Sequence, residues 1–294
     1  MNRDVLRFCI LGCGVEVECA DPAIRALVVA NYGAMPARRA GTIDLEYRIT
    51  RTRAAGFRLE GRGRRSLFAA DDGELIFLLD KDLTIEIQKL RRELYFLHAA
   101  ALAYAGKGTL LVGGSGHGKS TTAWALLHHG FQYLSDELAP LDLKRFTVEP
   151  YARALCLKRE PPPPYCLAGQ TARTSLTLHV PVACLPGGGP ARGAPLAAVF
   201  VVEYRKEMNA PQARALGKAE AAARLFAHAL NPLAHPEDGL AGAAAIAEKV
   251  PSFHVQSADL GLTCKLIRQT LAQALGQKSR APRARAGVDR ADAM

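Results

Sequence analysis

No stretch of about 18 uninterrupted apolar residues occurs in the 294-residue chain, so a membrane-spanning helix is not expected. The short apolar run from Phe8 to Val15 contains glycines and leads into Glu16 and Glu18, which fits neither a signal peptide nor a span. Aromatic residues are scarce, 6% of the chain with Trp124 the single tryptophan, and no RNA-binding aromatic signature is present. The seven cysteines form none of the paired spacings of a zinc site, and their odd number does not suggest a disulfide framework. They read as small buried apolar residues in a reducing compartment. No repeat period is visible. What is left is an Ala- and Gly-rich globular enzyme or switch, expected in the cytoplasm, with length for one large domain or two modest ones.

The net charge of +10 invites a nucleic-acid reading until it is mapped. Nine arginines face Asp44, Glu46 and Glu60 in residues 38–65, and five basic residues face Asp289 and Asp292 in the tail. The positive charge is therefore concentrated at two places. The N-terminal stripe is open to an acidic peptide, a phosphate-bearing partner or RNA, but a solvated β-face accounts for it more simply, so nucleic acid is not expected.

Three segments are expected. Residues 1–90 read as β-rich. "TIDLEYRIT" and "GFRLEG" alternate apolar and polar residues, and Asp71-Asp72-Gly73 between two apolar runs reads as a hairpin turn. "DKDLTIEIQKLRRELYF" then reads as a strand passing into a helix with Leu90, Leu94 and Leu97 on one side. Residues 91–276 alternate strands and helices. "HAAALAYAGKGTLLVGG" is a strand, a turn at Gly106-Lys107-Gly108, and a second strand. A helix follows over Lys119–His129, ended by Gly130 in a left-handed cap. "REPPPPY" and "PGGGPARGAP" are breaker-rich loops, at 160–170 and 186–195, placed to act as lids. "LAAVFVVEY" is a run of the kind buried on both faces of a sheet. A helix over "KAEAAARLFAHAL" aligns Ala222, Leu225, Phe226 and Leu230, and a strand at "SFHVQSADL" and a helix at "TCKLIRQTLAQAL" close the fold. The tail, 277–294, is polar, basic and expected to be disordered.

Between a strand and a helix lies Gly113-Gly114-Ser115-Gly116-His117-Gly118-Lys119-Ser120, which satisfies G-x-x-x-x-G-K-[ST]. Such a loop curls until successive backbone N–H groups converge on one anion, through angles costly for residues with a Cβ. The helix that follows, through Thr121, adds its positive end. Lys119 is placed to reach the β- and γ-phosphates of a nucleotide, and the Ser120 hydroxyl to ligate Mg²⁺. His117 occupies a variable position of the motif. Asp136-Glu137 closes "FQYL", the first strand after the helix. A carboxylate at that strand end can hold Mg²⁺ or accept a proton from an attacking hydroxyl, or it can simply be a turn acid. The same pair in ABC transporter ATPases lies far downstream behind an LSGGQ-like signature, which this chain lacks. His98, in "YFLHAAALA", is by position alone more readily a satisfied structural residue than a functional one.

Read together, His98-Ala99, "GGSGHGKS", "HHGFQYLSDE" and "YARALCLK" resemble the catalytic half of the HPr serine kinase/phosphorylase family. They are more similar still to smaller HPr-kinase-related proteins, some encoded beside genes for ribosomal peptides such as lasso peptides. The resemblance is best over residues 95–160. It implies an α/β fold of the phosphoenolpyruvate-carboxykinase-like P-loop type, with β-rich mixed sheets flanked by helices. It implies Asp136 as proton acceptor, Glu137 and Ser120 as holders of Mg²⁺, and His98 in contact with the catalytic acid or the transferred group. Arg153 and Lys158 become candidate phosphate or substrate contacts, and assembly into homo-oligomers is implied. Two departures argue against HPr as acceptor and against phosphorolysis. The family's downstream Gly- and Arg-rich motif is not recognisable, and residues 1–90 do not match its extra domain.

The expectation is thus an ATP- and Mg²⁺-dependent kinase acting on a hydroxyl, a serine of a small protein or peptide. The alternatives are a nucleotide-gated module or NTPase without a covalent acceptor, and a small-molecule kinase.

Overall fold

The computed structural model describes residues 4–35, 42–53, 55–167, 169–187 and 192–280. Among them, five N-terminal strands form one sheet in chain order: β1 (Val5–Ile10), β2 (Cys13–Cys19), β3 (Leu45–Arg51), β4 (Phe57–Gly61) and β5 (Leu67–Ala69). Only β2 and β3 run parallel. Helix α1 (Pro22–Tyr32) lies in the crossover between them, as a parallel pair requires. It begins where the Asp21 side chain accepts from the N–H groups of Ala23 and Ile24, with Pro22 in the first turn.

Helix α2 (Asp72–Leu90) corrects two sequence expectations at once. Asp71-Asp72-Gly73 is a helix start, not a hairpin. Asp71 accepts from the Glu74 N–H, while the Glu74 carboxylate accepts from the Ala70 N–H. The run beyond it, expected to open as a strand, buries Leu75, Ile76, Leu79, Leu83 and Ile87, which share one helical face. The apolar pairs in "ELIFLL" and "LTIEI" imitate strand alternation over short windows. Over 19 residues the helical period wins.

The outer face of this sheet carries the arginines. Arg7 pairs with Glu16, Arg48 with Glu18, Arg51 with Asp21, Arg58 with Glu60 and Arg62 with Glu46. Arg64 lies over the Tyr47 ring and reaches Asp82 on α2. Of the described arginines of the basic stripe, Arg48, Arg51, Arg58, Arg62 and Arg64 stand in ion pairs, so most of this charge is balanced by carboxylates. Residues 38–41 and 54 lie outside the described residues.

The second sheet gathers nine strands among the described residues. They are β6 (Tyr95–Leu97), β7 (Ala99–Tyr104), β8 (Lys107–Val112), β9 (Gln132–Ser135), β10 (Ala139–Asp142), β11 (Thr147–Val148), β15 (Ala194–Tyr204), β16 (Gln212–Ala215) and β17 (Ser252–Ser257). A small third sheet holds β12 (Leu155–Leu157), β13 (Ala172–Arg173) and β14 (Leu178–Val180). The turn between β7 and β8 sits at Ala105-Gly106, both left-handed, one residue earlier than expected. Strands β8 and β17 both run parallel to β15, so three strands send their carboxyl ends to one edge.

The fully buried strands of this sheet divide two cores. Leu102, Leu111, Phe200 and Val202 face a core shared with the first sheet, α1, α2, α3 (Lys119–Leu127) and α6 (Leu260–Arg280). Ala101, Leu110, Val199 and Val201 face the other side, against α4 (Lys218–Phe226) and α5 (Leu240–Lys249). The first core draws on residues before and after position 90. Helix α4 buries Ala221 and Leu225, whereas Phe226 and Leu230, expected on the buried side, are partly exposed because the helix ends at Phe226. The tail expected to be disordered from 277 begins as helix, since α6 continues to Arg280, and 281–294 lie outside the described residues. Of the 186–195 loop, 188–191 are likewise outside. Among the described residues no helix is long and apolar enough to cross a membrane.

Candidate active site

The glycine-rich loop leaves β8 at Gly113 and enters α3 at Lys119. Two glycines are indispensable to its path. Gly118, just before the helix, is left-handed at φ +88°, and a Cβ on Gly113 would stand 2.6 Å from the Val202 carbonyl oxygen of β15. Gly114 lies beneath the His117 imidazole, Gly116 is also left-handed, and Thr121 follows on the first turn of α3. Helix α3 ends as expected near Gly130. Gly130 donates to the Leu127 carbonyl and Phe131 to that of Leu126, with Gly130 left-handed, which is a Schellman close. It turns the chain straight into β9 and so delivers Asp136 and Glu137 beside the start of α3.

The two carboxylates part company there. Asp136 is fully buried. Its Oδ1 accepts from Ser120 Oγ at 3.0 Å and its Oδ2 from the Cys156 N–H at 3.2 Å. Burial, reinforced by the charge of Glu137, lifts its carboxyl to about 7. Glu137 has a left-handed backbone at φ +69°, a costly conformation that recurs at functional positions. Its side chain is 42% exposed and reaches His98 Nδ1 at 3.4 Å.

Lys119 Nζ donates to the Gly113 carbonyl at 2.8 Å and lies 3.1 Å from His98 Nε2. An ammonium has only donors, so Nε2 accepts and the imidazole proton sits on Nδ1, toward Glu137. Burial and then the Lys119 charge lower the His98 pKa, and burial lowers that of Lys119. His98 is thus a neutral bridge between the loop lysine and Glu137. Lys158 reaches the loop from the other side of the chain's path, donating to Ser115 Oγ at 2.9 Å.

Arg153 does not line the loop, contrary to expectation. It is buried behind the site, with Nε 2.7 Å from Asp80 Oδ1 on α2, while Tyr32 of α1 donates to the same oxygen at 2.9 Å. An always-charged guanidinium in the interior needs a fixed carboxylate, and the N-terminal segment supplies it. The "REPPPPY" segment is tied down at one end, where Tyr165 is buried, its carbonyl accepts from Trp124 Nε1, and its hydroxyl meets His129.

A cleft of about 440 Å³ opens beside Gly113, Gly114 and His117, and its other polar side chains are ones that no sequence motif marks. Glu203 and Arg205 come from the end of β15, His254 and Gln256 from β17, and Arg224 and His228 from α4 and the turn after it. Glu203 carried a readable signal, as the first charge at the end of a buried parallel strand, where ligand crevices form. The others had none, because they reach the loop only through the pairing of β8, β15 and β17.

Among the described residues no group of three or more His, Cys, Asp and Glu converges as a metal-binding cluster. Magnesium carried on a triphosphate needs no such cluster. It favours oxygen donors, keeps several waters, and takes one or two protein ligands. The Ser120 hydroxyl and Asp136 carboxylate, already in contact, match that donor set.

Fold and site together define a mixed α/β protein with a glycine-rich loop between strand and helix and a carboxylate pair at the next strand end. No family model matches the chain, and no curated protein matches it. Among solved structures it is similar to the HPr(Ser) kinase/phosphatase from Coxiella burnetii, with 14% identity and a TM-score of 0.32, over 63% of this chain and 99% of that one. So loose a likeness carries no argument, and the case for the chemistry lies in the site's own geometry.

Proposed function

We propose that this chain is an ATP- and Mg²⁺-dependent kinase that transfers the γ-phosphoryl group to a hydroxyl, a serine of a small protein or peptide. The observation that carries the reading is the contact of Ser120 Oγ with Asp136 at the mouth of the glycine loop. It joins the hydroxyl at the loop's end to a carboxylate from the neighbouring strand, the pairing that phosphoryl transfer requires around Mg²⁺. Backbone N–H groups of Gly114 to Ser120 and the first turn of α3 would hold the phosphates, with Lys119 and Lys158 neutralising their charge. Bound Mg²⁺ would supply Lewis-acid stabilisation of the phosphates. Asp136 is the first candidate for the proton acceptor, because a carboxyl held near 7 is a base matched to neutral pH. Glu137 is the second, favoured by its exposure beside His98. His98 fixes the positions of Lys119 and Glu137 relative to each other. The free state of all seven cysteines supports a reducing compartment, the cytoplasm, where ATP is abundant.

The test follows label from γ-³²P-ATP into protein, small molecules or free phosphate, in wild type, D136N and E137Q. Loss of the proton acceptor should slow transfer by about 100- to 10,000-fold while nucleotide remains bound. Whichever variant shows that loss identifies the acceptor. Label found only in free phosphate would make the protein an NTPase, and full transfer by both variants would overturn the assignment.

A further inference from the structure

The cleft beside Gly113 and Gly114 is a built site. Its floor is organised by one carboxylate. Glu203 accepts from Gln256 Nε2 at 2.9 Å and from Arg205 at 2.7 Å, and His254 Nε2 lies 3.1 Å from it. Glu203 and His254 are largely buried, with side-chain exposures of 20% and 11%. With three partners around it, Glu203 is held as an anion, its pKa lowered first by the bond from Gln256. The polar capacity that remains is of the opposite kind. Arg205 has further N–H groups to offer. Among the described residues Arg224 is held by Glu220, one turn back along α4, through a partly exposed pair that is weak and readily exchanged. His228 spends Nδ1 on the Arg224 carbonyl at 2.8 Å, and among the described residues its Nε2 meets no hydrogen-bond partner. The cleft therefore offers guanidinium donors and an imidazole to a ligand, above a carboxylate that is already satisfied.

Its position is equally specific. The three parallel strands end here, and crevices outside the carboxyl ends of such strands are where ligands bind. The cleft shares Gly113 and Gly114 with the glycine loop. His228 also stacks its ring parallel to His98 at 6.4 Å between centroids, and its carbonyl accepts from the His98 N–H. A group seated in the cleft therefore lies one imidazole away from the Lys119–His98–Glu137 chain.

We infer that this cleft receives the phosphoryl acceptor, and that the acceptor carries a carboxylate or phosphate next to its reactive hydroxyl, gripped by Arg205 and Arg224. The inference rests on the kinase reading above and specifies its substrate. In the transfer, the acceptor's hydroxyl oxygen bonds to the terminal phosphorus of the nucleoside triphosphate. The bond from that phosphorus to the bridging oxygen breaks, its electron pair leaving on the nucleoside diphosphate. The hydroxyl proton passes to the Asp136–Glu137 pair. Such an acceptor can be a free hydroxy acid or a serine flanked by an acidic residue.

Calorimetric titration of the full chain, with Mg²⁺ and a non-hydrolysable ATP analogue present, tests this with three probes: glycerate, the peptide acetyl-Ser-Asp-amide, and uncharged glycerol. Saturable binding of glycerate or of the peptide, but not of glycerol, is the expected result, and whichever binds tighter names the source. R224A and R205A should each weaken that binding by about tenfold or more, as expected for loss of a charged hydrogen bond. R145A, exposed on the turn between β10 and β11, should not. Glycerol binding as well as the anions, no saturation with either anion, or no weakening in both cleft variants would overturn the inference. Titration with the nucleotide analogue alone separates the two levels. A chain that binds glycerate but no nucleotide keeps an anion cleft and loses the kinase reading.

Discussion

The two large sheets use charge in opposite ways. On the first, arginines and carboxylates alternate across neighbouring strands and cancel on an exposed face, as in Arg48–Glu18 and Arg62–Glu46. On the second, charged and titratable groups gather at strand ends, half-buried, around a loop of backbone N–H groups. Most of the chain's localised positive charge belongs to the first region, whereas the second holds the proposed active site. A count of charges along the sequence points to the wrong sheet, because what matters is whether each charge has a partner and how much water reaches it.

The comparison can be broken at a place where the regions exchange charge. Asp80 of α2 holds Arg153 behind Asp136. Asp80→Ala would leave a buried guanidinium unpaired and should cost about 3–5 kcal/mol in a urea-unfolding experiment. A cost below about 1 kcal/mol, the range of surface pairs, would mean that the pair is no more than a surface contact.

A pH series sharpens the contrast from the other side. The Asp136 carboxyl is lifted to about 7 in the fold, above its unfolded value near 3.8. Its protonated form is therefore favoured in the native state. Its contribution to stability is complete below about pH 4 and disappears as pH rises through 7. That difference amounts to at most about 4 kcal/mol. Without nucleotide or Mg²⁺, D136N should gain on wild type between pH 5 and 8 when unfolding is followed by denaturant. Parallel curves would show that burial does not strain this carboxylate.

The smallest effect belongs to the exposed ladder. Arg48→Ala removes a pair whose partners are 61% and 40% exposed, and should change the unfolding free energy by less than about 1 kcal/mol, less still in high salt. A larger loss would mean that the outer face is covered in solution.

How much of this could be read in advance depended on how local the cause was. The β7–β8 pair, the glycine loop, the start of α3 and its Gly130 close are all written within neighbouring residues, and each could be placed from the sequence. The meeting of Ser120 with Asp136 was legible as proximity, because one helix and one strand separate them. Its burial was not, since the Cys156 N–H that completes it arrives from another sheet. Asp71 misled because an acid ahead of Asp-Gly serves a hairpin turn and a helix start equally well. Only the longer apolar period beyond it decides. Arg153 misled because its partner, Asp80, is 73 positions earlier in a segment read as strand. Glu203 could be marked as the first charge closing a buried strand, but Arg224, His228 and His254 could not, because they meet it only through pairings of strands distant in the chain, such as Leu110 with Val199 and Val199 with Ser252.

The lone tryptophan has a practical consequence. Trp124 stands on the helix that opens at Lys119, edge-on to His128 and tethered through its indole N–H to the Tyr165 carbonyl. All indole emission from the native chain comes from this spot. A shift of the proline-rich segment would alter the indole's hydrogen bond and hence its spectrum. The protein thus carries its own fluorophore on the helix that follows the glycine loop, and stopped-flow fluorimetry would show whether an added ligand shifts this segment without any added dye.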